Sequence, residues 1–375
     1  MQFEIEKKAL QEVIFLAQTV AEKKTNMPYL VNLLIEAEND SIRVYATDLE
    51  ISIVTKAPAK VISSGRATVH AKYFNELVKD LNDLPVTITS LDNFWVQIKQ
   101  KRYQSKLQGS DPKQYPLFPV IGSYDFFKIK ASVLKEMIAK VVFCVAAEDS
   151  RYFLNAVHLE RYWEGDQLFI KMTATDSFRL AVVSNPVDKV SYGKDNAQIH
   201  GVIIPRKGLN ELSRLLETVD NSVEIAIEGA QLVVKHHDTV LLIRLIEGKY
   251  PNFLKLIPEK INYNIIVPRQ ILYSSVKRVS FHAHQKSKSV ILDFSKSKMQ
   301  ISTSGQEIGE ASDEVEVQYD GPEFKATINA RFMTEMLNAD TSDLVDLQLM
   351  APNSPLIVRS HDVTNYTCVL MPMKY

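Results

Sequence analysis

Apolar residues recur along this chain at two spacings, and the switch between them is itself repeated. Residues 3–10, 127–134 and 265–272 each open with a short strand-like stretch and then pass into steps of three and four. The apolar positions that follow are Leu10, Val13, Ala17 and Val20; Leu134, Ile138, Val141 and Val145; and Leu272, Val276, Val279 and Ala283. Such steps place one apolar stripe on one face of a helix. A second strand-to-helix passage recurs further along each copy, at residues 69–81, 202–216 and 327–337, with a base in its first turn: Lys72, Arg206 or Arg331. Alternating stretches such as 168–172 and 223–227 read as strands, and Gly165 and Gly229 mark tight turns beside them. The sequences Gln-Tyr-Pro-Leu-Phe at 114–118 and Lys-Tyr-Pro-Asn-Phe at 249–253 close two of the copies alike.

Two helix types in three copies and in one order imply an internal repeat. The expected fold is α+β, with three similar domains at 1–125, 126–258 and 259–375, each holding two helices and antiparallel sheet. The joints are expected at 122–124 and 257–259.

At 375 residues the chain exceeds one ordinary core, in agreement with several domains. With 12 Gly and 15 Pro, no flexible linker region is expected. The longest apolar run, 141–147, is far short of the roughly 20 residues a membrane-spanning helix needs. Early acids argue against a secretory signal. Cys144 and Cys368 have neither metal-ligand nor disulfide-framework spacing. A cytoplasmic protein with no membrane partner is expected.

Charge narrows the picture. The counts are 44 basic and 45 acidic residues, giving −1, and by domain 15 − 15 = 0, 17 − 16 = +1 and 12 − 14 = −2. A protein that grips nucleic acid by neutralising phosphates is normally basic. Three similar domains stack naturally into an arc, and arcs joined head to tail close into a ring. If the helices line the inside, six of them leave a bore of about 9 Å at ordinary helix packing distances. Twelve, from two chains, leave roughly 28 Å, which admits a B-form duplex of about 20 Å. A positive lining could come from Lys7, Lys8, Lys72, Lys79, Lys135, Lys140, Arg206, Lys207, Arg214, Lys277, Arg278 and Arg331, with acids such as Glu307, Glu310, Asp313, Glu314, Glu316, Asp320 and Glu323 kept outside. Scattered bases on helices are equally compatible with ordinary solvated faces.

Five motifs then carry a family resemblance: Thr-Asp-Leu-Glu-Ile at 47–51, Arg-Tyr-Phe-Leu-Asn at 151–155, Ala-Thr-Asp-Ser-Phe-Arg-Leu-Ala at 174–181, Val-Ile-Ile-Pro-Arg-Lys-Gly at 202–208 and Val-Leu-Met-Pro-Met-Lys-Tyr at 369–375. In this order, and along the whole chain, it resembles the bacterial sliding clamps, the β subunits of replicative DNA polymerase III. The resemblance implies a head-to-tail homodimeric ring around duplex DNA, without sequence preference or catalysis, that tethers the polymerase catalytic subunit. A clamp loader and other proteins carrying clamp-binding peptides are further implied partners, and no cofactor is. It also implies a peptide groove of Leu154, Thr175, Ser177, Phe178, Arg179, Leu180, Pro251, Lys255, Leu256, Pro355, Val369, Met371, Pro372 and Met373. Leu180 and Val369 fit a core role equally well. For DNA it implies Lys24, Lys72, Arg151, Tyr152, Phe153, Arg206, Lys207 and Arg331. For the ring joint it implies Tyr103 and Leu107 meeting Phe281 and His282. Phe178 is bulkier than in many clamps, and Lys374-Tyr375 replaces a common Arg-Leu ending.

Chemistry beyond this is sparse. Neither a dinucleotide-binding nor a P-loop glycine pattern occurs. Asp48 and Asp176 could be read as the carboxylates of a metal-dependent nuclease, the alternative from another class, as a repeat-built protein scaffold is from a third. Their recurrence after Thr in two copies favours a turn or cap role.

Overall fold

A computed structural model describes residues 1–21, 27–119, 124, 126–187, 201–258, 260–305 and 309–373. Lys24, the joint positions 122–123 and 259, Glu307 and Lys374-Tyr375 lie outside the described residues.

The first third of the chain forms β1 (Gln2–Ile5), α1 (Lys7–Gln18), β2 (Asn32–Glu38), β3 (Ser41–Thr47), β4 (Ile51–Pro58), β5 (Lys60–Ser63), β6 (Gly65–His70), α2 (Ala71–Asp80), β7 (Val86–Ser90), β8 (Trp95–Gln100) and β9 (Tyr103–Gln108). The second forms β10 (Phe127–Lys130), α3 (Ala131–Val142), β11 (Ala156–Glu164), β12 (Gln167–Thr175), β13 (Arg179–Pro186), β14 (Val202–Pro205), α4 (Arg206–Glu217), β15 (Ser222–Glu228), β16 (Gln231–His236) and β17 (Thr239–Arg244). The last forms β18 (Tyr263–Pro268), α5 (Arg269–Ser280), β19 (Ser289–Ser295), β20 (Lys298–Gly305), β21 (Gly309–Glu316), β22 (Phe324–Asn329), α6 (Ala330–Ala339), β23 (Leu344–Leu349), β24 (Leu356–Ser360) and β25 (Tyr366–Leu370). Among the described residues, the order strand, helix, four strands, helix, three strands therefore occurs three times, with β5 the one addition.

All twelve stripe positions read from the sequence are buried; Val20, Val145 and Ala283 lie just past the helix ends, and the other nine give α1, α3 and α5 the buried apolar face that stabilises them. The turns at Gly165 and Gly229 join β11 to β12 and β15 to β16. Both glycines have φ near +55°, a conformation that costs a residue without a side chain nothing.

The chain folds into two compact units. The described residues of Met1–Ser132 and Lys207–Leu245 form one, and those of Val133–Val187, 201–206 and 246–373 the other. In the first, an eight-stranded antiparallel sheet runs β6-β2-β3-β4-β17-β16-β15-β10; in the second the order is β14-β11-β12-β13-β25-β24-β23-β18. Strand for strand these are one arrangement repeated. Its centre is a join between two four-stranded halves, β4 on β17 over four residue pairs and β13 on β25 over five. The first unit adds the sheet β5-β1-β7-β8-β9 and the second adds β21-β20-β19-β22. Among the described residues, the half that ends in β9 and the half that ends in β21 each keep an open edge.

Candidate functional site

The two Thr-Asp motifs form one turn twice. Thr47 Oγ1 accepts from the Leu49 N–H and donates to the Ile51 carbonyl, while Asp48 Oδ1 accepts from the Glu50 and Ile51 N–H groups. Thr175 and Asp176 repeat every one of these bonds with Ser177, Phe178 and Arg179. The third residue is left-handed in both, Leu49 at φ +75° and Ser177 at φ +76°. Both carboxylates are thus occupied by backbone donors and one cation each, which is the structural role expected from their recurrence. Lys207 Nζ lies 2.5 Å from Asp48 Oδ2, and Arg179 Nε lies 2.9 Å from Asp176 Oδ2.

In the second unit this turn holds Phe178 out, 63% exposed, at the end of the β13–β25 join. Met371 N–H bonds the Phe178 carbonyl at 2.9 Å and Met373 N–H bonds Thr327 at 2.9 Å, so the half-buried Met371, Pro372 and Met373 are pinned beside it. The Phe332 ring stacks 6.4 Å from Phe178. Pro355 is half-buried just before β24, which pairs with β25. Ser177, Lys255 and Leu256 are exposed and Pro251 is half-buried. Leu154 and Pro251–Leu256 lie on two other segments, linked to each other through the rings of Phe153, Tyr250 and Phe253.

Four of the expected groove residues are core, not lining: Leu154, Thr175, Leu180 and Val369 are at most 1% exposed. Arg179 is buried as well. Its guanidinium bonds Asp176, Glu335 and the Phe143 carbonyl and lies 4.3 Å from the Phe332 ring centre, so it supports the turn from below and has little left for a ligand. Glu335 was not visible as a site residue in the sequence, although its spacing from Arg331 is that of an i,i+4 helix pair. Burial pushes the Glu335 carboxyl up, but bonds from Arg331 and Arg179 outweigh it and leave it below the usual range.

The expected DNA residues have mixed surroundings. Lys72 and Arg206 are exposed; Lys72 lies 3.9 Å from Glu76. Arg331 pairs with Glu335 at 2.9 Å and Lys207 with Asp48 as above. Arg151 grips Asp149 through Nε and Nη2, and that bond with the Arg151 backbone N–H pulls the Asp149 carboxyl down to about 2. Tyr152 is exposed, but Phe153 is turned into the cluster of Ala156, Ile203 and Tyr250 and is a packing residue. Lys140 is corrected likewise: it is 4% exposed, bonded to Glu136 and lying over the Tyr366 ring, so it lines nothing.

Of the expected joint residues, Tyr103 and Leu107 lie on the open edge strand β9, and Lys101 and Arg102 precede them. Phe281 is 73% exposed at the end of α5, and His282 packs towards Gly309 at the start of the open strand β21. That strand carries Glu310, Asp313, Glu314 and Glu316. Among the described residues, no cluster of three His, Cys, Asp or Glu side chains could hold a metal ion.

Residues 1–119, 128–252 and 254–374 match the N-terminal, central and C-terminal domains of the DNA polymerase III beta subunit. The beta sliding clamps of Caulobacter vibrioides and Haemophilus influenzae are 27% and 29% identical, with all of both chains covered. Among solved structures, the sliding clamp of Caulobacter crescentus has a TM-score of 0.93 at 27% identity and covers both chains fully. That of Bacillus subtilis has 0.94 at 25%, covering 100% of this chain and 99% of the other. The chain belongs to the DNA polymerase III beta-subunit family, the bacterial sliding clamps, which are non-catalytic processivity subunits.

Proposed function

We propose that two copies of this chain join head to tail into a ring around duplex DNA, and that the ring tethers the replicative polymerase. The observation that carries this is the pair of open edges. Two joins between half-sheets are complete within the chain, β4 on β17 and β13 on β25. In the repeat, β9 is the counterpart of β17 and β25, and β21 is the counterpart of β4 and β13. The one join that a single chain lacks is therefore β9 on β21, and a second copy supplies it twice over with two-fold symmetry. Charge favours this partner: Lys101, Arg102 and Lys106 lie on or beside β9, and β21 carries four acids, of which Asp313 and Glu314 already pair with Arg278 and Lys298. Exposed edges of this length are otherwise an aggregation hazard. Tyr103, Leu107, Phe281 and His282 flank the join.

The domains are 1–125, 126–258 and 259–375. Phe178, Pro251, Lys255, Leu256, Pro355 and residues 371–373 form a groove for hydrophobic peptides of the polymerase catalytic subunit, the clamp loader and other clients. An apolar, Met-bearing rim suits varied occupants. Lys24, Lys72, Arg206 and Arg331 face the duplex, and the ring works in the cytoplasm. Retention on nicked circular DNA with release after linearisation tests encirclement; equal retention on both would refute it.

A further inference from the structure

Each copy of the repeat has a loop between its first helix and the next strand, before β2, β11 and β19, and the ladders put the three loops in one register. Asn32 stands opposite His70, Ala156 opposite Pro205 and Ser289 opposite Asn329, each partner being the last residue before the second helix. Five residues earlier lie Met27, Arg151 and His284. One contact checks the alignment independently. The carbonyls of Met27 and Arg151 close turns on the N–H groups of Leu30 and Leu154, three residues on, and that of His284 closes a turn on the Lys288 N–H, four residues on. His284, Gln285 and Lys286 are therefore the counterparts of Arg151, Tyr152 and Phe153. Lys24 precedes the same turn in the first copy.

The loops differ in charge. In the second copy Glu148 and Asp149 precede Arg151, and Asp149 takes up its guanidinium. The third copy reads His-Gln-Lys-Ser-Lys at 284–288, with no acid between Phe281 and Asp293. His284 and Lys286 are exposed and Lys288 is half-buried. Among the described residues, no carboxylate lies within 4 Å of the Lys286 or Lys288 ammonium. The loop is also tied to the second helix: Ala330 N–H bonds the Lys288 carbonyl at 2.8 Å, and Asn329 Nδ2 bonds the Ser287 carbonyl at 3.0 Å. Lys288 thus sits at the start of α6, against the residue that precedes Arg331.

We infer that the loop at 284–288 is a phosphate-contact site for duplex DNA, with Lys286 and Lys288 as its cations. Most bases on the helices would have to give up an ion pair to meet a phosphate, and these two lysines would not. Long side chains on an exposed turn can follow a phosphate without fixing a register, and such contacts read no sequence. Duplex DNA as the source of the phosphate rests on the ring reading above; the register of the loop and its unpaired charge do not.

The test titrates full-length protein into a fluorescent linear duplex of about 30 base pairs and reads anisotropy between about 50 and 200 mM salt. Lys286→Gln with Lys288→Gln removes two phosphate contacts. The slope of log affinity against log salt should become shallower by about 1.8, and affinity at the low-salt end should fall about tenfold. Lys128→Gln with Lys235→Gln removes the same charge from β10 and β16, where both lysines flank Glu224, and should leave the titration unchanged. A melting curve checks each fold. No binding by the parent, or a folded loop variant whose slope stays within about 0.5 of the parent's, overturns the site. An equal loss in the Lys128 and Lys235 variant means that net charge alone is felt, and overturns it too. Displacement of the duplex by polyglutamate at matched charge, lost in the loop variant, means that the loop takes acidic protein segments, and also overturns it. Failure of the ring reading shows separately, as no retention of the parent on nicked circular DNA.

Discussion

Proline at Gln104 is the most direct probe of the open edge. In an antiparallel ladder, residues alternate between facing one neighbour and the other. Gly109 N–H bonds the Phe94 carbonyl, so the pairs Val96–Leu107 and Ile98–Ser105 are the bonded ones between β8 and β9. The N–H groups of Gln104, Lys106 and Gln108 then point away from β8, to the open side. The two joins inside the chain agree: Arg244 N–H bonds the Glu50 carbonyl and Met371 N–H bonds that of Phe178, at the positions equivalent to Gln108. Those joins span four and five residue pairs. At about 1 kcal/mol net per hydrogen bond, the backbone ladder of one join contributes roughly 4–5 kcal/mol before side chains are added. Gln104→Pro removes one donor and sets a ring against the opposing carbonyl, a loss of about 3 kcal/mol. Two such joins close the ring, so the loss is about 6 kcal/mol per dimer and the dimer dissociation constant should rise roughly 10⁴-fold. Within the protomer the change is mild, because proline is tolerated where an edge N–H meets solvent. Sedimentation velocity over a concentration series reads the constant, and a thermal melt reads the fold. Ser105→Pro, one residue on, should instead damage the sheet, since its N–H faces β8. A dimer constant within threefold of the parent for a folded Gln104→Pro protein would refute the assignment of β9 to the join.

Two further outcomes follow from the buried charges of the second unit. Arg179→Ala leaves the Asp176 and Glu335 carboxylates without their shared cation, and should cost about 3–5 kcal/mol in urea unfolding. A loss below 1 kcal/mol would mean that the Phe178 turn stands without it. The folded Glu335 carboxyl lies below its unfolded value of 4.5, so its contribution is present above that pH and lost as pH falls through the lower, folded value. The urea midpoint should thus decline on acidification below about pH 4.5, and Glu335→Gln should flatten that decline; equal slopes in both proteins would exclude Glu335 as the titrating group.

Much of this was open to reading from the chain alone, because local physics decides it. Leu272, Val276 and Val279 can be buried together only on a helix, and a φ near +55° at Gly165 needs no tertiary help. The Thr-Asp turns close on themselves within five residues. What escaped depends on distant partners. Arg179 reads as a surface ligand until Glu335, 156 residues away, is found beneath it. Lys140 sits on the helical repeat as an outward base, yet Tyr366 and Glu136 give it a place inside. Nothing local distinguishes the edge strands β9 and β21 from strands flanked on both sides, because strand order is a property of the assembled sheet.

The paired bases also bear on how such a ring would hold DNA. Of the eleven helix bases that could line a bore once Lys140 is set aside, Lys8, Lys72, Lys207, Arg214, Arg278 and Arg331 each have a carboxylate within 4 Å. A base so paired presents little net field to a phosphate, and releasing it costs the ion pair. Few counterions are then displaced from the duplex, which makes attraction weak and its dependence on salt shallow. Affinity alone then holds such a protein on DNA only weakly. It can stay by closure, and the strength that processivity demands is then required of the β9–β21 join rather than of the lysines. The same economy leaves the duplex free to slide, because no phosphate is gripped firmly enough to set a register.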